Sequence, residues 1–232
     1  VESIVLLSGG LDSGVLLAQE AEHGHVHPVY VSVGLAWEHA ERAMLRALLQ
    51  APVFQGRHEP LAQLEFNMRD VYPPTHWAIR GVPPAYDTPD EDVYLVGRNV
   101  VLLTKAAVIA VARKASRIAL GTLAANPFPD ATPEFLAAMS RALSLGLAHP
   151  VEVVTPFAGM HKEDVIRRGE QLGVPLEHTL SCMNPLDAEG GRDFSRALPI
   201  HCGLCSKCRE RRDAFAAAGV DDRTEYANPV PR

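Results

Sequence analysis

The chain has 232 residues, of which 47% are hydrophobic and 22% charged, and it carries a formal net charge of −6. This is the composition of a soluble globular protein with one full core and room for a small appendage. The acidic balance supplies no overall positive field for nucleic acid, and no apolar run approaches the roughly 20 residues a membrane-spanning helix needs.

The first predicted element, a buried strand over Ser3–Leu7, begins so early that no signal peptide is expected. A helix follows over Asp12–His23, then a strand over Val29–Val33 and a helix rich in Ala, Leu and Arg over Glu38–Gln50. A third strand is expected near Val53–Gly56. The proline-rich stretch from Tyr72 to Asp92 reads as a functional loop, because structureless connections of that length are uncommon in compact domains. Beyond it the pattern predicts a helix over Asn99–Lys114, a strand over Arg117–Gly121 and a helix over Pro133–Leu147. A strand over Val151–Thr155 and a helix over Lys162–Leu172 complete the series. Strands alternating with amphipathic helices predict an α/β fold with a parallel sheet covered on both faces. Ligands on such sheets collect at the carboxyl ends of the strands. The composition changes near residue 181, so residues 1–180 are expected to form the α/β domain. Residues 181–232 form a C-terminal segment that ends in a short helix, Cys205–Ala218.

Ser8-Gly9-Gly10-Leu11-Asp12-Ser13 joins the first strand to the first helix. Two glycines let the backbone bend tightly and bring its N–H groups close to a ligand, and the helix N-terminus adds free donors and a positive dipole end. Ser8 and Ser13 can donate hydroxyls, and Asp12 can hold a metal ion that carries phosphates. A plain helix cap would need only Asp12 or Ser13; it would not need Ser-Gly-Gly before it. Neither the P-loop lysine pattern nor G-x-G-x-x-G is present, which sets aside the two commoner nucleotide loops.

All four cysteines lie in the last quarter of the chain. Cys202, Cys205 and Cys208 are spaced C-x2-C-x2-C, and nineteen residues separate Cys182 from Cys202. This crowding suits metal binding in a reducing cytoplasm better than a disulfide framework. Four thiolates in tetrahedral array suit a structural Zn²⁺. An iron–sulfur cluster is the rival, weakened because no fourth cysteine and proline follow, and His201 could stand in for a weak ligand.

The loop Ser8–Ser13 resembles the S-G-G-x-D-S signature of the PP-loop ATP pyrophosphatases, which implies a Rossmann-like PP-loop fold of the adenine nucleotide alpha hydrolase type. The C-terminal segment narrows the resemblance. Ser181-Cys182-Met183-Asn184-Pro185, His201-Cys202-Gly203-x-Cys205-x-x-Cys208 and Arg211-x-x-Ala214-Phe215 are together similar to the zinc segment of 7-cyano-7-deazaguanine synthases. Pro156-Phe157-x-x-Met160-x-Lys162-x-x-Val165-Ile166 and Leu172-Gly173-Val174-Pro175 resemble the stretch before it. The likeness covers roughly the first 50 and the last 80 residues.

The resemblance implies an ATP-dependent carbon–nitrogen ligase that adenylates a carboxylate, 7-carboxy-7-deazaguanine, and converts it with ammonia to an amide and then a nitrile for queuosine biosynthesis. It implies ATP and Mg²⁺ as cofactors, Zn²⁺ on Cys182, Cys202, Cys205 and Cys208, and a cytoplasmic homodimer. Nucleotide contacts are expected from Leu7, Ser8, Gly9, Gly10, Leu11, Asp12, Ser13, Gly14, Val15, Leu16 and Leu17. Val31 and Val33 would meet adenine, with Arg98 and Asn99 nearby. Asp12, Ser13 and Lys162 are the expected catalytic groups, Lys162 contacting phosphate or developing pyrophosphate. A lysine at a helix start opposes the helix dipole, so its placement there is a poor choice for stability alone.

The middle of the chain departs from that family. The usual Tyr-Gly-Gln-Arg-His is Val33-Gly34-Leu35-Ala36-Trp37, and only Arg98-Asn99 remains of Val-Pro-x-Arg-Asn. The substrate stretch Tyr-Ser-Gly-Tyr-Pro-Asp-Cys-Arg is replaced by Asn126-Pro127-Phe128-Pro129-Asp130-Ala131; Pro129-Asp130, then Pro133-Glu134-Phe135, survive but the arginine does not. Sites that hydrogen-bond a polar substrate discriminate strongly through those groups, so another carboxylate or acceptor stays open. So do a tRNA-modifying PP-loop enzyme and a non-catalytic, zinc-stabilised nucleotide sensor. His23, His25 and His27 could form a metal strip or simply complement a helix end. Arg209, Arg211 and Arg212 could meet phosphate or lie on a solvated helix. Trp37 and Trp77 could stack on a purine or pack, and the acidic run Asp87, Asp90, Glu91 and Asp92 could be solvated or neighbour Mg²⁺.

Overall fold

The computed structural model describes residues 2–124 and 126–230. Five parallel strands form one sheet in the order β3-β2-β1-β4-β5. They are β1 (Ser3–Leu6), β2 (Val26–Ser32), β3 (Ala62–Glu65), β4 (Arg117–Ala119) and β5 (Glu152–Val154). The main helices are α1 (Leu11–His23), α2 (Glu38–Leu49), α4 (Arg98–Arg113), α5 (Pro133–Leu147), α6 (Lys162–Leu172) and α7 (Ser206–Ala218), with one short turn of helix, α3 (Trp77–Arg80), between α2 and α4. The parallel, doubly covered sheet agrees with the sequence-based expectation.

β1 is buried along its whole length because its two faces serve two cores. Ile4 and Leu6 pack with Leu103, Ala106 and Ala110 of α4 on one side. Val5 and Leu7 pack with Val15 and Leu16 of α1 and Val165 and Ile166 of α6 on the other. Alternating side chains make this possible, and each fully buried Leu, Ile or Val contributes about 1.5–3 kcal/mol. The C-terminal segment joins both cores: Cys182, Met183 and Phe194 enter the first, and Ala214 and Phe215 of α7 enter the second.

Most predicted boundaries fall within a residue or so, but β2 begins three residues earlier than expected, running through Pro28. The predicted third strand near Val53–Gly56 is corrected. That stretch contains a tight 3-10 turn, Pro52–Phe54, in which Pro52 has no N–H to give a ladder, Phe54 is fully buried and Gly56 adopts φ +68°. The strand is instead Ala62–Glu65, at the sheet edge, with one face half-buried and the other exposed. Its apolar alternation is too weak to stand out from sequence.

After β3 the chain returns to add β4 on the far side of β1. The order therefore reverses between β1 and β4, the crevice where open parallel sheets take ligands.

Candidate active site and metal centre

The loop from Leu7 to Ser13 crosses this crevice and is held by its own hydroxyls. The Gly10 N–H donates to Ser8 Oγ at 3.2 Å, the Ser8 N–H to Ser13 Oγ at 3.3 Å, and Ser13 Oγ donates to the Gly10 carbonyl at 3.0 Å. Gly9 sits at φ +84°, and a Cβ there would lie 3.0 Å from Leu45 Cγ and 3.2 Å from the Glu41 carbonyl. Only glycine fits that conformation without strain. From behind, the Leu180 N–H donates to the Gly9 carbonyl at 2.7 Å.

A cavity of about 240 Å³ opens over the loop, lined by Leu7, Ser8, Gly10, Asp12 and Ser13 together with Val31, Arg98 and Asn99. It shares Ser8, Gly10, Asp12 and Arg98 with a neighbouring cavity of about 470 Å³, whose wall includes Leu11 and Lys162. The structure thus brings these expected site residues to one continuous hollow. The others lie elsewhere. Gly14, Val15, Leu16 and Leu17 are buried on the core side of α1, and a Cβ on Gly14 would meet Leu48 and Thr179. Val33 is buried, and its N–H donates to Glu38 Oε1 at 2.7 Å.

Asp12, in the first turn of α1, faces Lys162, the first residue of α6: Lys162 Nζ donates to Asp12 Oδ2 at 2.7 Å. Lys162 also lies 3.1 Å from Glu210 Oε1, whose other oxygen accepts from Lys207 Nζ at 2.6 Å. Burial works against the Lys162 ammonium, but Asp12 and Glu210 more than offset it and hold its pKa above the ordinary lysine value. Burial likewise works against the Glu210 carboxylate, but Lys162 and Lys207 hold it down at about 2.

Among the described residues, Asp12 Oδ1 and Arg98 Nε are buried without a hydrogen-bond partner. Such atoms cost free energy unless a ligand satisfies them. A free carboxylate oxygen beside the Ser8–Ser13 loop fits Mg²⁺, which is commonly held by one or two carboxylates plus substrate phosphates. Asn99 lines the cavity, yet its backbone and side-chain N–H groups are taken by Asp130, at 3.0 and 3.1 Å from the carboxylate. Burial raises the Asp130 carboxyl while these bonds from Asn99 pull it back.

The larger cavity has aromatic walls. Trp37 and Trp77 stack at 5.7 Å with 9° between their planes, and Tyr94 stacks on Phe128 at 5.1 Å at the smaller cavity. Glu41 also lines the larger cavity, buried, accepting from Tyr30 Oη at 2.7 Å and Trp37 Nε1 at 3.1 Å. Burial raises its carboxyl, opposed by nearby Arg98.

Cys182, Cys202, Cys205 and Cys208 are buried, and their sulfurs all lie within 4.8 Å of one another. The measured separations of 3.5, 3.9 and 4.0 Å match a tetrahedron of sulfurs about 3.8 Å apart, as Zn–S bonds of about 2.3 Å require. Backbone N–H groups of Asn184, Cys202 and Leu204 point at sulfurs, which stabilises thiolate. The donor set therefore fits zinc. His201 is not among these groups; its Nε2 accepts from the Ser181 N–H at 3.1 Å. Arg211 is fully buried and donates to Leu176 O, Thr179 Oγ1, Ser181 Oγ and Thr224 Oγ1.

Trp37 and Trp77 pack on each other at the cavity edge, and Asp90 of the acidic run pairs with Lys207 at 2.9 Å. His25 and His27 sit at the opposite, amino-terminal edge of the sheet, on Glu59 and Glu2. Sequence reasoning missed Glu41 and Glu210. The one available signal for Glu210 was its i,i+3 spacing from Lys207 on a helix that begins at the cysteines.

The family model described as Queuosine biosynthesis protein QueC matches residues 2–219. A 7-cyano-7-deazaguanine synthase of Methanothermobacter thermautotrophicus is 30% identical over 97% of this chain and 99% of its own length. Synthases of the same name from Thermosynechococcus vestitus and Thiobacillus denitrificans are 31% and 34% identical, over 99% and 97% of this chain and 97% and 98% of theirs. A crystal structure described as a predicted subunit of a tRNA methyltransferase from Methanocaldococcus jannaschii aligns with a TM-score of 0.45 and 15% identity, over 73% of this chain and 74% of that one. That likeness is too distant to carry an argument.

Proposed function

Because the chain belongs to the queuosine biosynthesis protein QueC family, we propose that it is an ATP-dependent enzyme converting 7-carboxy-7-deazaguanine and ammonia to 7-cyano-7-deazaguanine. Its full-length relatives are named 7-cyano-7-deazaguanine synthase, which supports an enzyme of the queuosine pathway. The observation that carries the chemistry is Asp12. One of its oxygens is unpartnered at the phosphate loop and the other is bonded to Lys162.

The Ser8–Ser13 loop receives the β- and γ-phosphates, with the α1 N-terminus pointing at them. Asp12 would hold Mg²⁺, which would neutralise phosphate charge. Lys162 faces the leaving pyrophosphate and stabilises the charge it acquires. The substrate lies in the larger cavity between the Trp37–Trp77 and Phe128 walls, its carboxylate directed at the shared wall where Arg98 and Asp12 stand.

A carboxylate oxygen attacks the α-phosphorus and expels pyrophosphate, and ammonia then displaces AMP to leave the amide. The amide oxygen is activated by a second ATP, and loss of AMP and protons leaves the nitrile. The chain's contribution is positioning and electrostatics. Zinc on the four cysteines would be structural, holding α7 against the site, and a homodimer is part of the same reading.

Incubating the purified protein with Mg-ATP, ammonia and 7-carboxy-7-deazaguanine tests the assignment. The expected products are AMP, pyrophosphate and nitrile. AMP without nitrile assigns a different acceptor, and ADP in place of AMP contradicts the reading.

A further inference from the structure

We propose that Glu210 is a positioning residue for Lys162 that leaves Asp12 free to take a cation; this rests on the nucleotide-binding function proposed above. The basis is a row of alternating charges. Asp12, Lys162, Glu210, Lys207 and Asp90 follow one another at 2.7, 3.1, 2.6 and 2.9 Å. The row starts at the phosphate loop, crosses α6 and α7 and ends in the proline-rich loop, and all five groups line the larger cavity.

Asp12 has two demands on it. Its Oδ2 neutralises Lys162, while its buried Oδ1 has no partner. With Asp12 as its only partner, Lys162 would resist any turn of that carboxylate towards a cation. Lys162 is only 16% exposed, and stranding a buried charge is expensive. Glu210 removes that conflict: Lys162 keeps one carboxylate when Asp12 is engaged, and its ammonium stays at the cavity. Lys207 steadies Glu210 from the other side and ties it to Asp90.

This role differs from that of an ordinary structural ion pair. A structural Glu210 would affect melting temperature and metal content. A positioning Glu210 affects how much Mg²⁺ the protein needs to bind ATP.

The test uses the full chain with its bound metal quantified, and calorimetric titration of ATP over a series of Mg²⁺ concentrations without any carboxylate substrate. Glu210→Gln is expected to raise the Mg²⁺ concentration for half-maximal ATP binding roughly five- to tenfold, as loss of a part-buried ion-pair partner requires. ATP affinity at saturating Mg²⁺ stays near wild type. Glu210→Asp, which keeps the charge, restores most of the Mg²⁺ response and carries the test if the glutamine variant loses its metal. In a Lys162→Met background, Glu210→Gln adds nothing.

An unchanged Mg²⁺ requirement in Glu210→Gln, or a shift that persists in Lys162→Met, overturns the proposal. Because no acid is present, the result is independent of the substrate assignment. A Mg²⁺ shift with no turnover of 7-carboxy-7-deazaguanine sinks the substrate alone. Nitrile formation with no Mg²⁺ shift sinks the positioning role alone. Wild-type protein that binds no ATP at any Mg²⁺ concentration sinks both.

Discussion

Glu41 is a carboxylate placed where charge is hard to keep. It is buried in α2 under Tyr30 and Trp37, and that burial raises its pKa above the ordinary 4.5. The folded state therefore favours the protonated acid. Its contribution to stability is fully present below about pH 4.5 and declines as pH rises towards the folded value. Glu41→Gln removes this titration. The fall in Tm as pH rises above about 4.5 should be smaller in the variant than in the parent chain. An unaltered pH slope in thermal melts would contradict it. Gly9 is the second test at this scale. Gly9→Ala forces φ +84° on an L-residue against Leu45 and the Glu41 carbonyl. It should cost about 1–3 kcal/mol, read as a lower denaturation midpoint with weakened ATP binding. The loop itself was legible because Ser-Gly-Gly-x-Asp-Ser needs no tertiary context to be recognised. Lys162 was legible because it opposes a helix dipole within a stretch that resembles the synthase family. Glu41 and Glu210 were not, since their significance comes from partners far away in sequence.

At the scale of elements, α7 couples the cysteine cluster to the phosphate loop. Cys208 lies in its first turn, and Arg211 one turn on ties it to Leu176, Thr179 and Ser181. Leu180, inside that stretch, supports Gly9. Removing the metal should therefore loosen more than the cysteines. Chelation is expected to lower Tm by about 10 °C or more, since several kcal/mol at about 2–4 °C each are at stake, and to abolish ATP binding until zinc is restored. Full ATP affinity in metal-free protein would refute the coupling. The cysteine spacing revealed the cluster, but the strap between Leu176 and Ser181 carries no comparable pattern. The same contrast explains the strands. β1, buried on both faces, shows a continuous apolar run, whereas edge strand β3 buries only half of one face and Pro52-Val53-Phe54 mimicked it.

Across the whole molecule, the strand order places the reversal between β1 and β4, and that crevice holds the phosphate loop, Arg98 and the mouth of the larger cavity. One end of the hollow presents the Ser8–Ser13 loop and the unpartnered Asp12 Oδ1, the other the stacked Trp37 and Trp77. Of the sequence departures, Trp37 and Pro127 line the larger cavity alone, whereas Asn126 and Phe128 line both. Labelling decides the matter most directly. With substrate carrying ¹⁸O in both carboxylate oxygens, attack at the α-phosphorus should deliver one ¹⁸O to AMP as the amide forms and one to a second AMP as the nitrile forms, with none in pyrophosphate. Unlabelled AMP, or ¹⁸O in inorganic phosphate with release of ADP, would contradict the account.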